Sequence, residues 1–451
     1  MRENRLLMKK VLMIAYYYPP LGGVGTLRTI KFAKYLPKFG WHPIILTPET
    51  GVCSITCDKG EGDIDGVEIV RTGYFDIFSF LRRFQKGEAS VARENFGALE
   101  SKGLKRKLSA FLQKSLNEWV AFPDSRIGWY PYAMRRGIER IGRGDMSIIF
   151  STSAPETAHL IAYSLKQRTG IPWVADLRDL WTQHHGYQRT RLRLRLEKVL
   201  EKKVLSNANA LITVSDPWAR RLRSTVSKVF NGNVFTITNG FDPDDFSQRT
   251  SRSNGKFIIT YVGTLYLPNQ DLTLLFKVLN QLCEKGHVDV RKVEIRFYGS
   301  KVEAVNHLWK KSLVGKSVKI FDNVSHEECA AVQKDSTALL LLDWQQPEEK
   351  GVLPAKLFEY LGARRPILCI STHKTVVTDL LKRTNAGVVV KNEEEMRAVL
   401  LRWYREFIET GEVKYHGIES EIMKHTRENK TRQLVEVFEK VCSHAACPGR
   451  E

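Results

Sequence analysis

The segment VLMIAYYYPPLGGVGTLRTIKFAKYLPKFGWHPIILT, residues 11–47, decides the fold. It predicts a strand over 11–17, a loop rich in proline and glycine, a helix over 26–39 and a second strand over 42–46. Glycine lets the backbone approach a ligand closely, and the N–H groups at a helix start favour anions. This unit therefore predicts a parallel sheet with a polar ligand at the first loop.

The same alternation of strand and helix continues along the chain and predicts parallel sheets with helices on both faces. We predict a first Rossmann-like domain over 1–238, a turn-rich linker over 239–256, a second Rossmann-like domain over 257–415 and a C-terminal helix over 416–445. Ligands of such sheets bind beyond the carboxyl ends of the strands, so loops after strands are where chemistry is expected.

Charge is the most informative part of the composition. The chain has 451 residues, 70 Lys+Arg and 50 Asp+Glu, a net charge of +20 and a pI near 9.6. Such a field attracts nucleic acid, an anionic membrane surface or phosphorylated ligands. Basic residues cluster in the first half, at 102–114, 189–203 and 220–223, and we expect a functional surface there. They are not interleaved with aromatic stacking platforms, which disfavours nucleic acid.

The apolar runs and the cysteines predict the cellular compartment of the protein. No run approaches the ~18 apolar residues of a membrane span, and the basic N-terminus precedes a strand rather than a signal peptide. The seven cysteines are scattered, as expected for free thiols in a reducing cytosol. A basic helix within 76–120 places Leu104, Leu108, Phe111 and Leu112 on one face, for membrane insertion or for ordinary packing.

Metal binding is not predicted. His184 and His185 have no partner carboxylate at helical spacing. Asp63 and Asp65 match a bare D-x-D pattern, but the flanking glycines favour a turn. We expect no metal and no cofactor.

The opening loop has a second interpretation as a dinucleotide fingerprint. Gly23 and Gly25 give G-x-G-x-x, but Arg28 stands where a small residue lets helix and strand pack closely. Glu49 lies at a plausible distance for a ribose contact. An oxidoreductase therefore remains an alternative, as does a tight turn without a ligand.

The segment KGVLPAKLFEYLGARRPIL, residues 350–368, predicts a phosphate site. Gly351 and Pro354 open a helix that carries Lys356 and Glu359. Helix-start amides with a lysine one turn in suit a diphosphate, and a carboxylate can accept hydrogen bonds from a ribose diol. The alternative is an ordinary amphipathic helix with surface charges.

Two further polar segments, residues 151–159 and 174–181, follow or end strands. Asp176, Arg178 and Asp179 in one turn fit either a structural Asp–Arg pair or polar contacts to a substrate, because buried charges need partners. His159 suits a cleft or packing position better than a metal site.

Several segments in this order resemble glycosyltransferase family 4, the retaining nucleotide-sugar transferases with the GT-B fold. They are YYYPPLGGVGTLR, FAKYLPKFGWHPIILT, STSAPETAHL, WVADLRDLW, ALITVSDPWARRL, ITNGFDPDDF, YVGTLYLPNQDL, RFYGS and GVLPAKLFEYLGARRPIL. The resemblance implies an α/β GT-B fold, with two Rossmann-like parallel-sheet domains facing a shared cleft. It also implies that the C-terminal helix crosses back to the first domain.

The resemblance assigns roles to individual residues. It implies that donor-binding residues are Gly22, Gly23, Gly263, Thr264, Pro354, Ala355, Lys356, Leu357 and Glu359. Lys356 faces the diphosphate, Glu359 holds the ribose, and both count as catalytic residues together with His159 in the cleft. The acceptor-side residues are Asp176, Arg178 and Asp179.

The sequence departs from the family at two positions. Gly351 replaces the first glutamate of the E-x7-E motif, and GTLYLPNQDL lacks the basic pair that often follows the donor-domain glycine. An impaired nucleotide-sugar-binding protein therefore stays an alternative.

The expected function is metal-independent, retaining transfer of a hexosyl group from a nucleoside-diphosphate sugar to a glycan or polyprenyl-diphosphate-linked acceptor. The relatives it resembles build bacterial surface polysaccharide or lipopolysaccharide. We expect a cytoplasmic protein, with peripheral attachment to an anionic membrane surface as an option.

Overall fold

The protein is described from a computed structural model, which covers residues 8–22, 25–49, 64, 66–77, 79, 119–183, 189–226, 230–247, 255–267, 269–302, 305, 312–346 and 350–445. They divide into two compact units. The first takes the residues up to Val214, Trp218–Thr236 and those from Arg432 onward. The second takes Ser215–Pro217 and Ile237–Thr431.

The sheet of the first unit is parallel throughout its described strands, in the order β3-β2-β1-β4-β5-β6-β7. The strands are β1 Lys9–Ile14, β2 Trp41–Pro48, β3 Glu68–Thr72, β4 Ile148–Ser153, β5 Trp173–Leu177, β6 Ala210–Thr213 and β7 Asn233–Thr236. The order reverses at β1, where the chain turns from one side of the sheet to the other, and ligands bind near such points.

Helices cover this sheet, as its apolar strands require. They are α1 Thr26–Tyr35, α2 Tyr130–Ile141, α3 Thr157–Thr169, α4 Arg191–Leu205 and α5 Asp216–Val226. The inner strands are buried on both faces, so they read as continuous apolar runs rather than as alternating ones. The predicted strand, loop, helix and strand of residues 11–47 are confirmed, with a short 3-10 turn, Leu36–Phe39, closing the helix.

The second unit contains a smaller parallel sheet in the order β10-β9-β8-β11-β12-β13. Its strands are β8 Phe257–Val262, β9 Val293–Tyr298, β10 Val318–Phe321, β11 Ala338–Leu342, β12 Ile367–Ile370 and β13 Gly387–Val390. Its helices are α6 Thr273–Glu284, α7 His326–Lys334, α8 Ala355–Ala363, α9 Val376–Thr384, α10 Glu393–Thr410 and α11 Glu419–Met423. Apolar clusters on both faces of the sheet form its core. Two Rossmann-like sheets with helices fit the GT-B fold.

The last helix, α12, spans Arg427–Ala445, and its end belongs to the first unit. Phe438 lies 5.1 Å from the ring of Trp41 and 5.9 Å from that of Phe150. Glu439 accepts a hydrogen bond of 3.0 Å from the Trp41 indole. The C-terminal helix therefore packs on the first sheet, as the resemblance implied.

The prediction of a single C-terminal helix over 416–445 is wrong, because this segment forms two helices, α11 and α12. The backbone of Phe241 pairs at the break: its N–H donates to His425 O at 3.1 Å, and its O accepts from Arg427 N at 2.7 Å. Thr426 forms a parallel bridge with Phe241, which a continuous helix would exclude.

The predicted linker over 239–256 also differs from the structure. Its described residues, 239–247 and 255–256, belong to the second unit, and Phe241 and Asp242 are buried there. Asp245 accepts a hydrogen bond from His326 at 2.9 Å. The turn-rich sequence thus corresponds to a segment that packs on the second unit, and not to a separate linker.

Several predictions lie outside the described residues, among them the basic helix through Leu104 and Leu112, the Asp63–Asp65 turn and the His184–His185 pair. Within the part of the chain that the structure describes, no helix is both long and apolar enough to span a bilayer.

Candidate functional site

Two glycines shape the ends of β8 and β9 in the second unit. Gly263 has φ +117° and donates its N–H to Tyr298 O at 2.8 Å. Gly299 has φ +128°, and a Cβ built on it would lie 2.5 Å from Gly263 O. Both positions need glycine, because the backbones approach closely and φ is positive. The result is a tight turn beyond the strand ends, in which the main chain is not covered by side chains of its own.

The Lys356 ammonium points at this turn. A Cβ built on Gly263 would lie only 3.0 Å from Nζ, and Nζ lies 3.9 Å from the centroid of the Tyr261 ring. Nζ is buried and has no hydrogen-bond partner among the described residues. Burial lowers the pKa of Lys356 to about 7, although the carboxylate of Glu359 opposes this shift. An anion at the turn would supply the missing partner.

The start of α8 adds donors beside Lys356. Pro354 is the N-cap, in extended conformation, and no side chain caps the helix. Uncapped N–H groups and the helix dipole favour an anion at this end. Leu357, a predicted donor-binding residue, has its side chain in the core, and its N–H donates to Pro354 O at 3.2 Å. The amides of Ala355 and Lys356 are the ones at the helix start.

Glu359 lies three residues after Lys356 and is half-buried. Its Oε2 accepts a long hydrogen bond of 3.4 Å from Gln333 Nε2. This single weak contact leaves carboxylate lone pairs for a ligand, as a ribose diol requires.

Two tyrosines position this site and were missed by sequence reasoning. Tyr360 accepts a hydrogen bond of 3.0 Å from the N–H of Val262, which ties α8 to the end of β8. Tyr261 donates to Thr264 O at 2.7 Å and so fixes the predicted loop residue Thr264 through its backbone. Burial raises the pKa of both phenols. The segments TYVG and FEYL contain them, but only the packing of helix on strand shows their role.

Gly351, which stands where the family has a glutamate, is buried and offers only backbone. Its carbonyl accepts a hydrogen bond of 2.7 Å from the Ser215 hydroxyl in the same unit. No carboxylate comes from this position, so the contact implied by the first glutamate of the family motif is absent at Gly351.

In the first unit, Gly25 and Arg178 lie against each other. A Cβ built on Gly25 would fall 1.6 Å from Arg178 Nη1, so any other residue at the start of α1 would displace this guanidinium. Arg178 donates to Ser153 O and, at 2.9 Å, to Ala154 O, and burial lowers its pKa. Gly22, in the same loop, is buried, and Gly23 lies outside the described residues.

Asp176 and Arg28 form a buried ion pair that answers one question left open by the sequence. Arg28 Nε and Nη2 donate to the two carboxylate oxygens at 2.9 and 2.8 Å, and Thr152 donates to the same group at 2.9 Å. Both side chains are at most 2% exposed. Asp176 is therefore structural, paired with Arg28 rather than with Arg178, and the predicted acceptor contact is not supported for it. Asp179 is exposed.

His159 has no exposed surface. Trp173 donates its indole N–H to Ser151 Oγ at 2.7 Å, and Ser151 Oγ lies 2.8 Å from His159 Nδ1. The Ser151 proton is thus free for Nδ1, which leaves the ring proton on Nε2. Burial lowers the pKa of His159 to about 3. This geometry favours a packing role over a cleft position, and catalysis by His159 stays a prediction.

Two neighbouring carboxyls were also missed: the half-buried Asp124, which precedes α2, and the buried Glu156, which follows β4. Asp124 accepts hydrogen bonds from the backbone and hydroxyl of Thr157 at 2.7 and 2.9 Å. Glu156 is 4% exposed, and its Oε2 has no partner among the described residues. Burial and the nearby charge of Asp124 raise the pKa of Glu156 to about 8. The side chain is therefore protonated at neutral pH.

Metal ligation has no site in the described part of the chain, where no group of three His, Cys, Asp or Glu side chains could hold an ion.

Comparison with known proteins adds to this geometry. Residues 27–240 match the family described as "Glycosyl transferase 4-like domain". No curated protein matches the sequence. Among solved structures, a sucrose-phosphate synthase from Thermosynechococcus elongatus aligns at 12% identity and a TM-score of 0.61, over 97% of this chain and 100% of the other.

Two further structures align over nearly the whole chain. An α,α-trehalose 6-phosphate synthase from Burkholderia multivorans has 10% identity and a TM-score of 0.59, over 97% of this chain and 100% of the other. HepE from Anabaena, in complex with UDP, has 12% identity and a TM-score of 0.53, over 97% and 100%. At these identities the likeness establishes the fold.

Proposed function

We propose that the protein is a glycosyltransferase related to family 4, because residues 27–240 match the glycosyl transferase 4-like domain and the chain has the GT-B fold. It moves a hexosyl group from a nucleoside-diphosphate sugar to a glycan or polyprenyl-diphosphate-linked acceptor, with retention. The observation that carries the donor assignment is the buried, unpartnered ammonium of Lys356 at the uncapped start of α8, facing the Gly263 turn.

The donor diphosphate binds between this turn and α8. Lys356 and the amides of Ala355 and Lys356 stabilise the negative charge that grows on the leaving diphosphate, and such preorganised electrostatics is usually the largest catalytic contribution. Glu359 accepts hydrogen bonds from the ribose hydroxyls. Removing water from the Lys356 ammonium strengthens its attraction to the phosphates, because the local dielectric constant is low.

The acceptor binds the first unit, near the loop that begins after β1 and near Arg178. Arg178 is held by two carbonyls and by contact with Gly25, so its guanidinium is positioned before any ligand arrives. The leaving phosphate accepts the acceptor proton, since no protein base is required for that step. We propose that transfer needs neither a metal ion nor another cofactor, because Lys356 and the helix start provide the positive charge.

The pathway assignment draws on resemblance rather than on the site. A lipopolysaccharide outer core galactosyltransferase aligns with a TM-score of 0.51 at 12% identity, over 96% of this chain and 99% of the other. We infer a role in bacterial surface polysaccharide or lipopolysaccharide synthesis, with the protein in the cytoplasm at the inner membrane.

Gly351 favours one second candidate, a nucleotide-sugar-binding protein with impaired turnover. The missing carboxylate removes a donor-sugar contact but leaves the phosphate and ribose contacts intact. This candidate predicts binding of the nucleotide sugar without transfer.

A thermal-shift panel tests the proposal. UDP-, GDP-, ADP- and CMP-sugars are added to the wild type and to Lys356→Met, with and without Mg²⁺. A bound donor raises the melting temperature by mass action. We expect a metal-independent shift with one nucleotide that is lost in Lys356→Met. A binding shift with no sugar transfer to any extracted glycan or lipid acceptor supports the second candidate, and no shift at all refutes both.

A further inference from the structure

The outward face of α4 carries an exposed apolar row. Leu192, Leu196 and Val199 are 59%, 44% and 67% exposed. Their spacing of four and three residues places them on one side of the helix, where a helix of a soluble domain normally carries polar residues. This row is therefore available to a partner that offers an apolar surface.

The inward face of α4 holds its carboxylates. Glu197 and Glu201 are fully buried; Arg193 Nε donates to Glu197 at 2.7 Å, and Thr182 donates to Glu201. These contacts fix the rotation of the helix about its axis, because turning it would expose the buried carboxylates and break the Arg193–Glu197 pair. The outward face consequently carries no carboxylate of α4.

A basic row runs beside the apolar one. Arg191, Arg195 and Lys198 are exposed and Lys202 is half-buried. They follow each other at four, three and four residues, the same helical spacing, so the two rows are parallel. An anionic surface with an apolar interior matches both rows at once.

A cavity of about 390 Å³ lies at the end of the same face, lined by Val199, Lys202, Lys203, Ser206 and Asn207. The hydroxyl of Ser206 is buried and has no partner among the described residues. Two ammonium groups and a free hydroxyl are suited to a phosphate group.

We propose that this face of α4 docks on an anionic lipid bilayer, with the helix lying in the plane of the interface. Leu192, Leu196 and Val199 enter the boundary of the acyl chains, and the basic row contacts lipid phosphates. The inference deepens the proposed function, because it names the surface that brings the transferase to a lipid-linked acceptor. A second copy of the chain is a poorer occupant, since two basic rows would face each other on a protein of net charge +20.

Vesicle sedimentation of the full-length protein tests the proposal. Vesicles of phosphatidylcholine alone are compared with vesicles that also contain phosphatidylglycerol. The apolar variant combines Leu192→Ser, Leu196→Ser and Val199→Ser. The basic variant combines Arg191→Gln, Arg195→Gln, Lys198→Gln and Lys202→Gln.

A matched control changes exposed residues of α10, in the other unit. It combines Ile408→Ser, 45% exposed in the wild type, with Arg402→Gln and Arg405→Gln. Melting curves and the donor-induced thermal shift of every variant show whether it is folded and still binds the nucleotide sugar.

We expect the wild type and the control to bind the anionic vesicles and to bind phosphatidylcholine weakly. The basic variant should lose more than about 100-fold in partitioning, from about 1 kcal/mol for each charge near the surface. The apolar variant should lose about tenfold or more, from the apolar area withdrawn from the bilayer.

Three results would overturn the inference: no vesicle binding of the wild type, vesicle binding of both α4 variants as strong as that of the wild type, or self-association of the wild type that the apolar variant abolishes without any vesicle binding. In each case a retained donor shift leaves the proposed function standing. Vesicle binding without a shift by any nucleotide sugar would instead support the docking surface and refute the proposed function.

Discussion

The titration of Lys356 predicts a specific pH dependence of donor binding. Burial lowers the pKa of this ammonium to about 7 in the free protein, and a diphosphate at the Gly263 turn raises it again by pairing with the charge. Only the protonated form binds the diphosphate well. Above pH 7 the protein must take up a proton to bind, so affinity falls by up to tenfold for each further pH unit.

The magnitude follows from the protonated fraction. At pH 6 about 90% of Lys356 is charged, and at pH 8.5 about 3% is charged. The dissociation constant should therefore be up to about 30-fold larger at pH 8.5 than at pH 6. A nucleotide sugar is the right ligand, because its diphosphate is esterified at both ends and does not titrate in this range, unlike a terminal phosphate.

Isothermal titration calorimetry at the two pH values measures this ratio, and buffers of different ionisation enthalpy report the proton uptake. Lys356→Arg is the matched control, since its guanidinium stays charged throughout and should give a flat profile. Equal wild-type affinity at both pH values, or the same decline in Lys356→Arg, would refute the assignment of the proton to Lys356.

The burial of Lys356 also predicts that the stability of the free protein rises with pH, whereas its affinity for the donor falls. A lysine with a depressed pKa in the folded state destabilises the free protein as pH falls from 10.5 toward about 7. Lys356→Met should therefore melt at a higher temperature than the wild type near neutral pH while losing the donor-induced shift. A lower melting temperature would show that Lys356 has a partner in the free protein.

Three further predictions concern the first unit. Arg28→Met leaves the buried Asp176 carboxylate unpaired and should lower the free energy of unfolding in urea by about 3–5 kcal/mol. The double variant Arg28→Met with Asp176→Leu should lose less stability, because no charge is left unpaired. Equal losses in the two variants would contradict the pairing. Gly25→Ala brings a Cβ to within 1.6 Å of the present position of Arg178 Nη1, so the guanidinium must move. We expect the free energy of unfolding in urea to fall by about 1–3 kcal/mol and sugar transfer to weaken. Unchanged values would refute the contact. Burial raises the pKa of Glu156 from 4.5 to about 8, so the stability of the wild type should fall as pH rises between these values. In melting curves taken across this range, Glu156→Gln should remove the decline. A decline that is the same in Glu156→Gln would contradict the assignment to Glu156.

The strands and the helix that carries Lys356 were predictable because their signals are local. Apolar runs between glycine-rich loops predict strands of a parallel sheet, and those around residues 11–47 and 350–368 are where the structure has them. Lys356 and Glu359 were chosen as candidate ligand-binding residues from one short segment, because resemblance to the family and helical spacing both act within a few residues.

The remaining features depend on pairs that are far apart in sequence. Arg28 and Asp176 are separated by 148 residues, so no local pattern indicates that they pair. The break between α11 and α12 depends on the backbone of Phe241, which comes from another part of the chain. The role of Tyr360 likewise requires α8 to lie against β8. Such contacts follow from the packed fold and not from composition or periodicity.

The packing of α12 on the first sheet has a consequence for biosynthesis. Trp41 and Phe150 belong to segments that leave the ribosome early, yet Phe438, which covers them, is translated only after the whole second unit. The first unit therefore exposes an apolar surface throughout translation of the second, a period in which chaperones and proteases have access to it. Premature termination anywhere in the second unit should leave a nascent first unit that is prone to aggregate, even though its seven described strands have all been synthesised.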